Sequence, residues 1–219
     1  EEMIGEGVDI IDIGAESSRP GADPVPLQEE LDRIMPVVEA LKDCGKPLSI
    51  DTYKSEVMSA ALAGGADMIN DICGFASEES LKAVAGYDCG LCVMHMQGNP
   101  KSMQNRPRYE DVIGEVSDFL ERQVLHLKEA GISEDRICID PGFGFGKSLE
   151  DNLVLLRNMD VLRKKSGLPV LAGLSRKSIV AALTGKPVEK RLAGNLAIAL
   201  SAVEHGAAIL RVHEVGETL

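Results

Sequence analysis

The side chains of this chain that could do chemistry share one kind of position: each lies at or just after the end of a short apolar run. They are Arg19, Asp51, Asn70, His95, Asp140, Lys147, Lys177, Arg211 and His213. Carboxylates can accept paired N–H groups and stabilise a developing positive charge, whereas the cations can hold an anionic group. Brought together on one face, these residues would form an active site with an acidic and a basic part.

Seven apolar runs position these residues, and each run is bounded by polar, charged or glycine residues. The runs begin at Val8, Pro47, Met68, Leu91, Ile137, Val170 and Ile209. Short, bounded runs rich in valine, isoleucine and leucine are typical of buried parallel strands. Parallel α/β proteins keep their chemistry at the carboxyl ends of the strands, so the polar residues that follow the runs are expected to meet there.

Helical spacing of apolar residues between the runs predicts the connecting helices. The predicted segments are 27–41, with a kink at Pro36, then 53–62, 112–127, 149–165 and 192–205. Strands that alternate with helices along the whole chain predict a parallel sheet with right-handed crossovers.

The expected fold is an α/β (β/α)8 TIM barrel in which seven of the eight strands are present. Such a barrel usually takes about 250 residues, and this chain has 219. Residues 1–7 resemble the end of a helix and the chain stops soon after Val215, so the first strand and the closing helix are expected to be missing. The chain would then be a single barrel domain, 1–219, truncated at both ends. An open doubly wound sheet is the alternative, but it would collect its functional residues at one switch point.

Composition places the chain among ordinary globular proteins, with 44% hydrophobic and 26% charged residues. No apolar stretch approaches the roughly 20 residues that span a bilayer, and the acidic amino end is not a signal peptide. The net charge of −12 argues against general binding to nucleic acid or to an anionic membrane. Five cysteines, an odd count without framework spacing, favour a reduced, cytoplasmic protein.

A glycine-rich segment, PGFGFGKS over 141–148, follows the fifth run. A phosphate-binding P-loop would need glycine where Pro141 stands, so that interpretation fails. The glycines allow the backbone to come close to a ligand, and Phe143 or Phe145 could stack on a flat ring. The segment therefore indicates a binding site rather than a simple turn.

Acidic side chains in apolar runs are costly to bury unless they are paired or hydrogen-bonded. Asp51 and Asp140 are the last residues of their runs and are interpreted as functional. Asp12 lies in the middle of its run, where a structural hydrogen-bonding role is equally open. His95 stands between two methionines and is open in the same way between packing and function.

Basic residues indicate an anion site. Arg211 and His213 alternate in the last run and are expected to point the same way, where an anion would offset their repulsion. Ser175 and Lys177 open a helix, and a helix amino end favours a carboxylate or a phosphate. Arg19 belongs to a long, proline-containing loop of the kind that is usually functional or mobile.

Seven motifs in a fixed order resemble the dihydropteroate synthase family. They are IDIGAESSRPGA, SIDT, INDI, MHMQG, DPGFGFGK, GLSRKS and RVHEV, and they extend over essentially the whole chain. The resemblance implies a pterin-binding TIM barrel that joins 6-hydroxymethyl-7,8-dihydropterin pyrophosphate to p-aminobenzoate and releases pyrophosphate. The product is dihydropteroate, a folate precursor, and the family is the target of sulfonamides. The resemblance also implies Mg²⁺ as a cofactor and a possible homodimer.

A role for each motif residue follows from the same resemblance. The residues implied to bind the pterin are Asp51, Asn70, Met94, Asp140, Gly173 and Lys177. Those also implied to be catalytic are Asp51, Asp140 and Lys177. Those implied to bind pyrophosphate are Arg19, Arg211 and His213. Those implied to bind p-aminobenzoate are Ser18, Pro20, Phe145 and Ser175. No metal ligand is expected in this chain, because the family's ligand lies in the first strand.

Two alternatives stay open. A pterin-binding barrel of the corrinoid methyltransferase type would share Asp51, Asn70 and Asp140 but would have no evident need for the basic residues. A non-catalytic remnant would bind a pterin, or nothing, without forming product.

Overall fold

Seven strands form, one at each of the seven apolar runs, and neighbouring strands pair in parallel. The computed structural model describes residues 1–19, 21–99, 103 and 107–219. The strands are β1 (Ile11–Gly14), β2 (Leu48–Asp51), β3 (Met68–Asp71), β4 (Gly90–Met94), β5 (Ile137–Asp140), β6 (Val170–Ala172) and β7 (Ala207–Leu210). Their order in the sheet is their order in the chain, and every neighbouring pair is parallel. This sequential order excludes a doubly wound sheet, in which the strand order reverses at a switch point.

The sheet curls so that its two edges approach each other. In the described part of the chain, β1 and β7 do not pair with each other. Even so, Arg211, directly after β7, donates to Asp12 in β1 over 2.6 Å. A parallel sheet that curls until its first and last strands lie side by side has the architecture expected of a barrel.

Helices connect the strands. They are α1 (Glu2–Gly5), α2 (Leu27–Leu41), α3 (Ser55–Ala63), α4 (Glu78–Ala85), α5 (Val112–Glu129), α6 (Leu149–Arg157), α7 (Met159–Ser166), α8 (Ser178–Thr184), α9 (Leu192–Glu204) and α10 (Val215–Thr218). Within the described ranges, none of them has the length and apolar character needed to cross a membrane.

Two features of the helices are not part of the prediction from the sequence. α4 is not among the predicted helices; Ser77 caps it by accepting a hydrogen bond from the Ser80 backbone N–H over 3.0 Å. The predicted helix 149–165 is divided into α6 and α7, because the Asn158 side chain donates to the Val154 carbonyl over 2.8 Å and competes with the backbone there. α2 contains Pro36 and continues through it.

Side chains alternate along the strands between two apolar clusters. In β5, Ile139 packs in the main core between sheet and helices, whereas Cys138 belongs to a small cluster on the inner face of the curled sheet. Successive side chains of a strand point to opposite faces, so Asp140 shares the inner face with Cys138. The same alternation in β2 and β3 places Asp51 and Asn70 on this inner face.

Candidate active site

The inner face of the sheet ends in three polar side chains, Asp51, Asn70 and Asp140, which we call the polar floor. β2 and β3 are in register at Asp51 and Asn70, and β4 and β5 at Met94 and Asp140. Asn70 is 5% and Asp140 is 4% exposed. Parallel register thus brings residues that are far apart in the chain to one buried surface.

Asn70 carries a buried acceptor that is left unpaired. Its Oδ1 atom accepts no hydrogen bond from any residue that the structure describes. Buried polar atoms in folded proteins are nearly always paired. The unpaired oxygen on the polar floor therefore marks a position where a ligand can donate a hydrogen bond.

Asp140 and Lys177 lie on one side of the polar floor. Asp140 Oδ1 accepts a hydrogen bond from the Gly142 backbone N–H over 2.7 Å. Burial raises the pKa of Asp140, and the nearby Lys177 opposes that rise. Burial lowers the pKa of Lys177 to about 8, with Asp140 opposing. A Cβ atom at Gly173 would lie 3.6 Å from Lys177 Nζ and 3.9 Å from Asp140 Oδ2, so the glycine keeps the space between them open.

Arg211 connects the acidic side chains across the opening of the sheet. Its Nε donates to Asp12 Oδ2 over 2.6 Å, and its Nη2 donates to Asp51 Oδ2 over 2.7 Å. Asp12 also accepts a hydrogen bond from Ser49 Oγ over 2.6 Å. Its contacts therefore favour the structural role, in which the Asp12 carboxylate holds Arg211 in place. Burial raises the pKa of Asp51 to about 7, and the guanidinium of Arg211 opposes the rise.

Arg211 and His213 both follow the last strand and have different partners. β7 ends at Leu210, so both residues follow the strand and the alternation of a strand does not apply to them. Arg211 turns towards two carboxylates, whereas His213 Nδ1 lies 2.9 Å from Ser175 Oγ. The charge of Arg211 is therefore balanced by acidic side chains of the chain itself.

Ser175 shares an acidic partner with Arg176. Ser175 Oγ donates to Glu214 Oε2 over 3.2 Å, and Arg176 Nε donates to Glu214 Oε1 over 2.6 Å. Burial lowers the pKa of His213, and Arg176 lowers it further, so the ring is neutral at pH 7. Sequence reasoning did not single out Glu214; its position directly after His213 was the available signal.

The loop after β1 brings one of its predicted residues to the polar floor. Ser18 lines a narrow cleft together with Asp51 and Thr52. Arg19 is exposed, with its backbone N–H 3.4 Å from Ser17 Oγ. Pro20 lies outside the described residues.

The glycine-rich loop after β5 packs closely against the loop after β4. Gly142, Gly144 and Gly146 have φ values of 69°, 81° and 64°, which residues with side chains rarely adopt. A Cβ atom at Gly142 would lie 1.9 Å from the His95 carbonyl oxygen, and one at Gly146 would lie 2.5 Å from that of Gln97. Glycine is therefore required at both positions.

Lys147 and His95 support this loop from inside the protein. Lys147 is buried, and its Nζ lies 2.9 Å from His95 Nδ1 and donates to the carbonyls of Gly142 and Phe145 over 3.0 Å each. Burial lowers the pKa of His95 to about 3 and that of Lys147 to about 7. For His95, whose role the sequence leaves open between packing and function, these contacts favour packing. Lys147 supports the loop through its hydrogen bonds to the loop carbonyls.

The loop in turn contacts Lys177. Lys177 Nζ donates to the Phe143 carbonyl over 2.6 Å and lies 4.7 Å from the centre of the Phe145 ring. Phe145 packs in a small buried cluster with Met94. Two residues with predicted roles, Met94 and Phe145, thus share one buried cluster beside the polar floor.

Replacing Gly142 with alanine is expected to lower the free energy of unfolding by about 3 kcal/mol or more, because the new side chain meets a carbonyl and the backbone is left-handed. Gly167→Ala is the matched control: its φ is 73°, but an added Cβ meets nothing within 4 Å. Only the backbone cost of about 1–2 kcal/mol applies to the control. Denaturant unfolding of both variants measures the difference, and equal losses would contradict the close contact.

Comparison with known proteins agrees with this geometry. The family model for pterin binding enzyme matches residues 1–213. The dihydropteroate synthase of Haemophilus influenzae is 47% identical over 221 residues, which cover 100% of this chain and 79% of that protein.

Two solved structures have the same fold. The dihydropteroate synthase of Burkholderia cenocepacia, complexed with 7,8-dihydropteroate, is 51% identical with a TM-score of 0.92, and the match covers 99% of this chain and 80% of that one. The enzyme of Yersinia pestis, in a complex with a sulfonamide drug, is 44% identical with a TM-score of 0.96, and the match covers 99% and 79%.

A curled parallel sheet with a polar inner face, together with these matches, defines a pterin-binding enzyme of the barrel class. Within that class, the chain belongs to the dihydropteroate synthase family. The predicted α/β barrel fold and the predicted family are both confirmed.

Proposed function

We propose that this chain joins 6-hydroxymethyl-7,8-dihydropterin pyrophosphate to p-aminobenzoate, with release of pyrophosphate. The observation that carries the proposal is the buried pair of acceptors on the polar floor, the unpaired Oδ1 of Asn70 and the carboxylate of Asp140, beside the cations Lys177 and Arg211. Such a site suits a ligand that is flat and neutral at one end and anionic at the other.

The polar floor fits the edge of a pterin ring. A pterin has adjacent ring N–H and amino donors, which a carboxylate such as Asp140 accepts in a pair. Asn70 Oδ1 takes a further donor, and Lys177 donates to the carbonyl and nitrogen acceptors on the other side. Met94 packs on the face of the ring, and Gly173 leaves room beside it.

Charge placement accounts for the chemical step. When the bond to pyrophosphate breaks, the electron pair leaves with the pyrophosphate and the pterin methylene becomes positively charged. Ionised Asp51 and Asp140 stabilise this charge, and because they are already in place no reorganisation is needed. Arg211 and His213, with Arg19 from the loop after β1, hold the departing anion.

Mg²⁺ is proposed only as a partner of the pyrophosphate oxygens. Among the described residues, no group of three or more histidine, cysteine, aspartate or glutamate side chains could hold a metal ion, so these residues do not by themselves fit one. Magnesium usually retains several waters and binds through substrate phosphates.

The second substrate binds beside the loop after β1. On binding, the Ser175 hydroxyl exchanges its hydrogen bond to Glu214 for one to the carboxylate of p-aminobenzoate, Phe145 packs against the ring, and Ser18 lies at the edge. The amine then forms the new C–N bond and a proton is released. Position, rather than a strong base, accounts for the attack, because an amine held at the methylene reacts as if highly concentrated.

An assay with both substrates tests the proposal. Dihydropteroate and pyrophosphate are expected in equal amounts, and omission of p-aminobenzoate should abolish the product. Methyl transfer from a methylated folate without pyrophosphate release would favour the corrinoid methyltransferase alternative. Calorimetric binding of a pterin without product would favour a non-catalytic protein.

The pH dependence of kcat/KM for the pterin pyrophosphate is expected to be bell-shaped. Asp51 acts as a carboxylate, so activity rises as the pH increases through its pKa of about 7. Lys177 acts as a cation, so activity falls as the pH increases through its pKa of about 8. In Asp51→Asn the residual activity should lose the acidic limb and keep the basic one. A wild-type profile that stays flat across neutral pH would contradict both roles.

Two further properties are proposed. A homodimer is supported by apolar side chains left exposed on one helix of the chain, Leu192, Leu200 and Val203 in α9. Light scattering of the purified protein measures that state directly. A reducing, cytoplasmic location is supported by the cysteines, all five of which are free thiols.

A further inference from the structure

Three charged side chains outside the polar floor form a cluster of their own, which we call the loop-base triad: Glu16, Glu30 and Lys54. Lys54 Nζ contacts a carboxylate oxygen of each glutamate. The side chains of Glu16, Glu30 and Lys54 are 10%, 1% and 15% exposed. Charged groups are seldom buried to this degree unless they are paired, so the position of each of the three depends on the others.

The triad is fixed to the residues that directly follow Asp51. Thr52 Oγ1 donates to Glu30 over 2.7 Å, and the Tyr53 hydroxyl donates to Glu16 over 2.6 Å. Burial alone would raise the pKa of Glu16, but the hydrogen bonds from Lys54 and Tyr53 hold it below the usual value. Glu16 is therefore ionised at neutral pH.

Glu16 also closes the loop after β1. Its Oε2 accepts the backbone N–H of Val25 over 2.9 Å, so one carboxylate joins the start of the loop to its end. The segment 17–24 between these points contains Ser18 and Arg19, two residues with proposed roles at the substrate site. The base of this loop is thus held by a buried ion pair, whereas Arg19 is exposed.

We propose that Glu16, acting through Lys54 and Glu30, is a positioning residue that sets the place of Ser18, in the loop after β1, for the second, aromatic amine substrate. This inference depends on the proposed function, because the loop would otherwise have no second substrate to meet. Glu16 itself touches no reacting atom. Its effect is on how often the loop is in the conformation that the amine requires.

Glu16→Gln and Lys54→Met test this role through a difference between the two substrates. The KM for p-aminobenzoate is expected to rise about tenfold in each variant, because a misplaced positioning group commonly costs one to two orders of magnitude. The Kd of 6-hydroxymethyl-7,8-dihydropterin, which lacks the pyrophosphate that Arg19 is proposed to hold, should change by less than about twofold by calorimetry, since the polar floor is built from other residues. Lys54→Arg keeps the cation and is expected to restore most of the affinity. Hydrogen exchange of the amides in 17–24 should be faster in Glu16→Gln than in the wild type.

Asp160→Asn and Lys164→Met are the matched controls, because they break an exposed ion pair within α7 by the same kinds of substitution. The KM for p-aminobenzoate and the Kd of the pterin should be unchanged in them. The proposal is overturned if the KM for p-aminobenzoate and the Kd of the pterin rise together in Glu16→Gln, if neither changes, or if Glu16→Gln no longer folds, since the carboxylate would then serve the fold and not the loop. Absence of product from the wild-type enzyme would instead overturn the proposed function, so the two failures can be told apart.

Discussion

The Asp140→Asn enzyme is expected to turn over about 100 to 1,000 times more slowly than the parent when the pterin pyrophosphate is saturating. The substitution removes a buried negative charge next to the carbon that becomes positive, and saturation removes the contribution of weaker binding. The asparagine Oδ1 can still accept the Gly142 N–H, so the contact that Asp140 makes to the loop is retained. Single-turnover measurement of product formation gives the rate of the chemical step.

Asp67→Asn is the control for this prediction. Asp67 accepts the Leu48 backbone N–H over 2.8 Å at the amino ends of β2 and β3, the opposite end of the sheet from the polar floor. Its substitution should leave the turnover of the folded enzyme unchanged. If Asp140→Asn also kept full turnover under saturation, electrostatic stabilisation by Asp140 would be wrong.

Arg211→Met is expected to lower kcat/KM for the pterin pyrophosphate by about 100-fold or more, because one residue serves two purposes. Its guanidinium is a proposed ligand of the pyrophosphate, and it donates to both Asp12 and Asp51. Since Arg211 holds the pKa of Asp51 down, its loss should also move the acidic limb of the pH profile to higher pH. Steady-state kinetics between about pH 6 and pH 9 would report both effects.

Arg136→Met provides the corresponding control at the other end of the sheet. Arg136 Nε donates to the Cys89 carbonyl over 2.7 Å, just before β5, and is distant from the substrate groups. Its kinetic constants should match the wild type once the folded fraction is taken into account. An acidic limb that does not move in Arg211→Met would mean that Arg211 has no influence on Asp51.

Much of the polar floor can be predicted from local sequence, for a simple geometric reason. Asp51 and Asp140 end apolar runs, and Asn70 lies within the run that begins at Met68, one residue before the end of β3. In parallel strands of nearly equal length, such positions meet at one edge, and the two-residue period of a strand decides the face. Neither step requires knowledge of distant contacts.

Contacts between distant segments could not be predicted in this way. Arg211 and Asp12 are 199 residues apart, and no local pattern indicates that this cation pairs with those carboxylates. The end of β7 at Leu210 is decided by the pairing with β6, so the apolar run alone extended the strand too far. Lys147 looked like a substrate ligand because of its type and place, whereas burial assigns it to the support of the loop.

The division of the predicted helix 149–165 illustrates another limit. Apolar spacing continues through Asn158, but the backbone there leaves the helical conformation and the Asn158 side chain bonds the Val154 carbonyl between α6 and α7. Propensity and periodicity report an average preference, and a single side-chain contact can override them.

The crowded glycines of the loop after β5 have a consequence for drug design. At Gly142 and Gly146 any substituent would collide with the neighbouring main chain. A compound that contacts Lys177, which this loop holds through the Phe143 carbonyl, would depend on a backbone that substitutions at these two glycines cannot reshape without loss of the fold. Under antibiotic selection, resistance would have to arise from substitutions at other residues, and the compound would retain this contact.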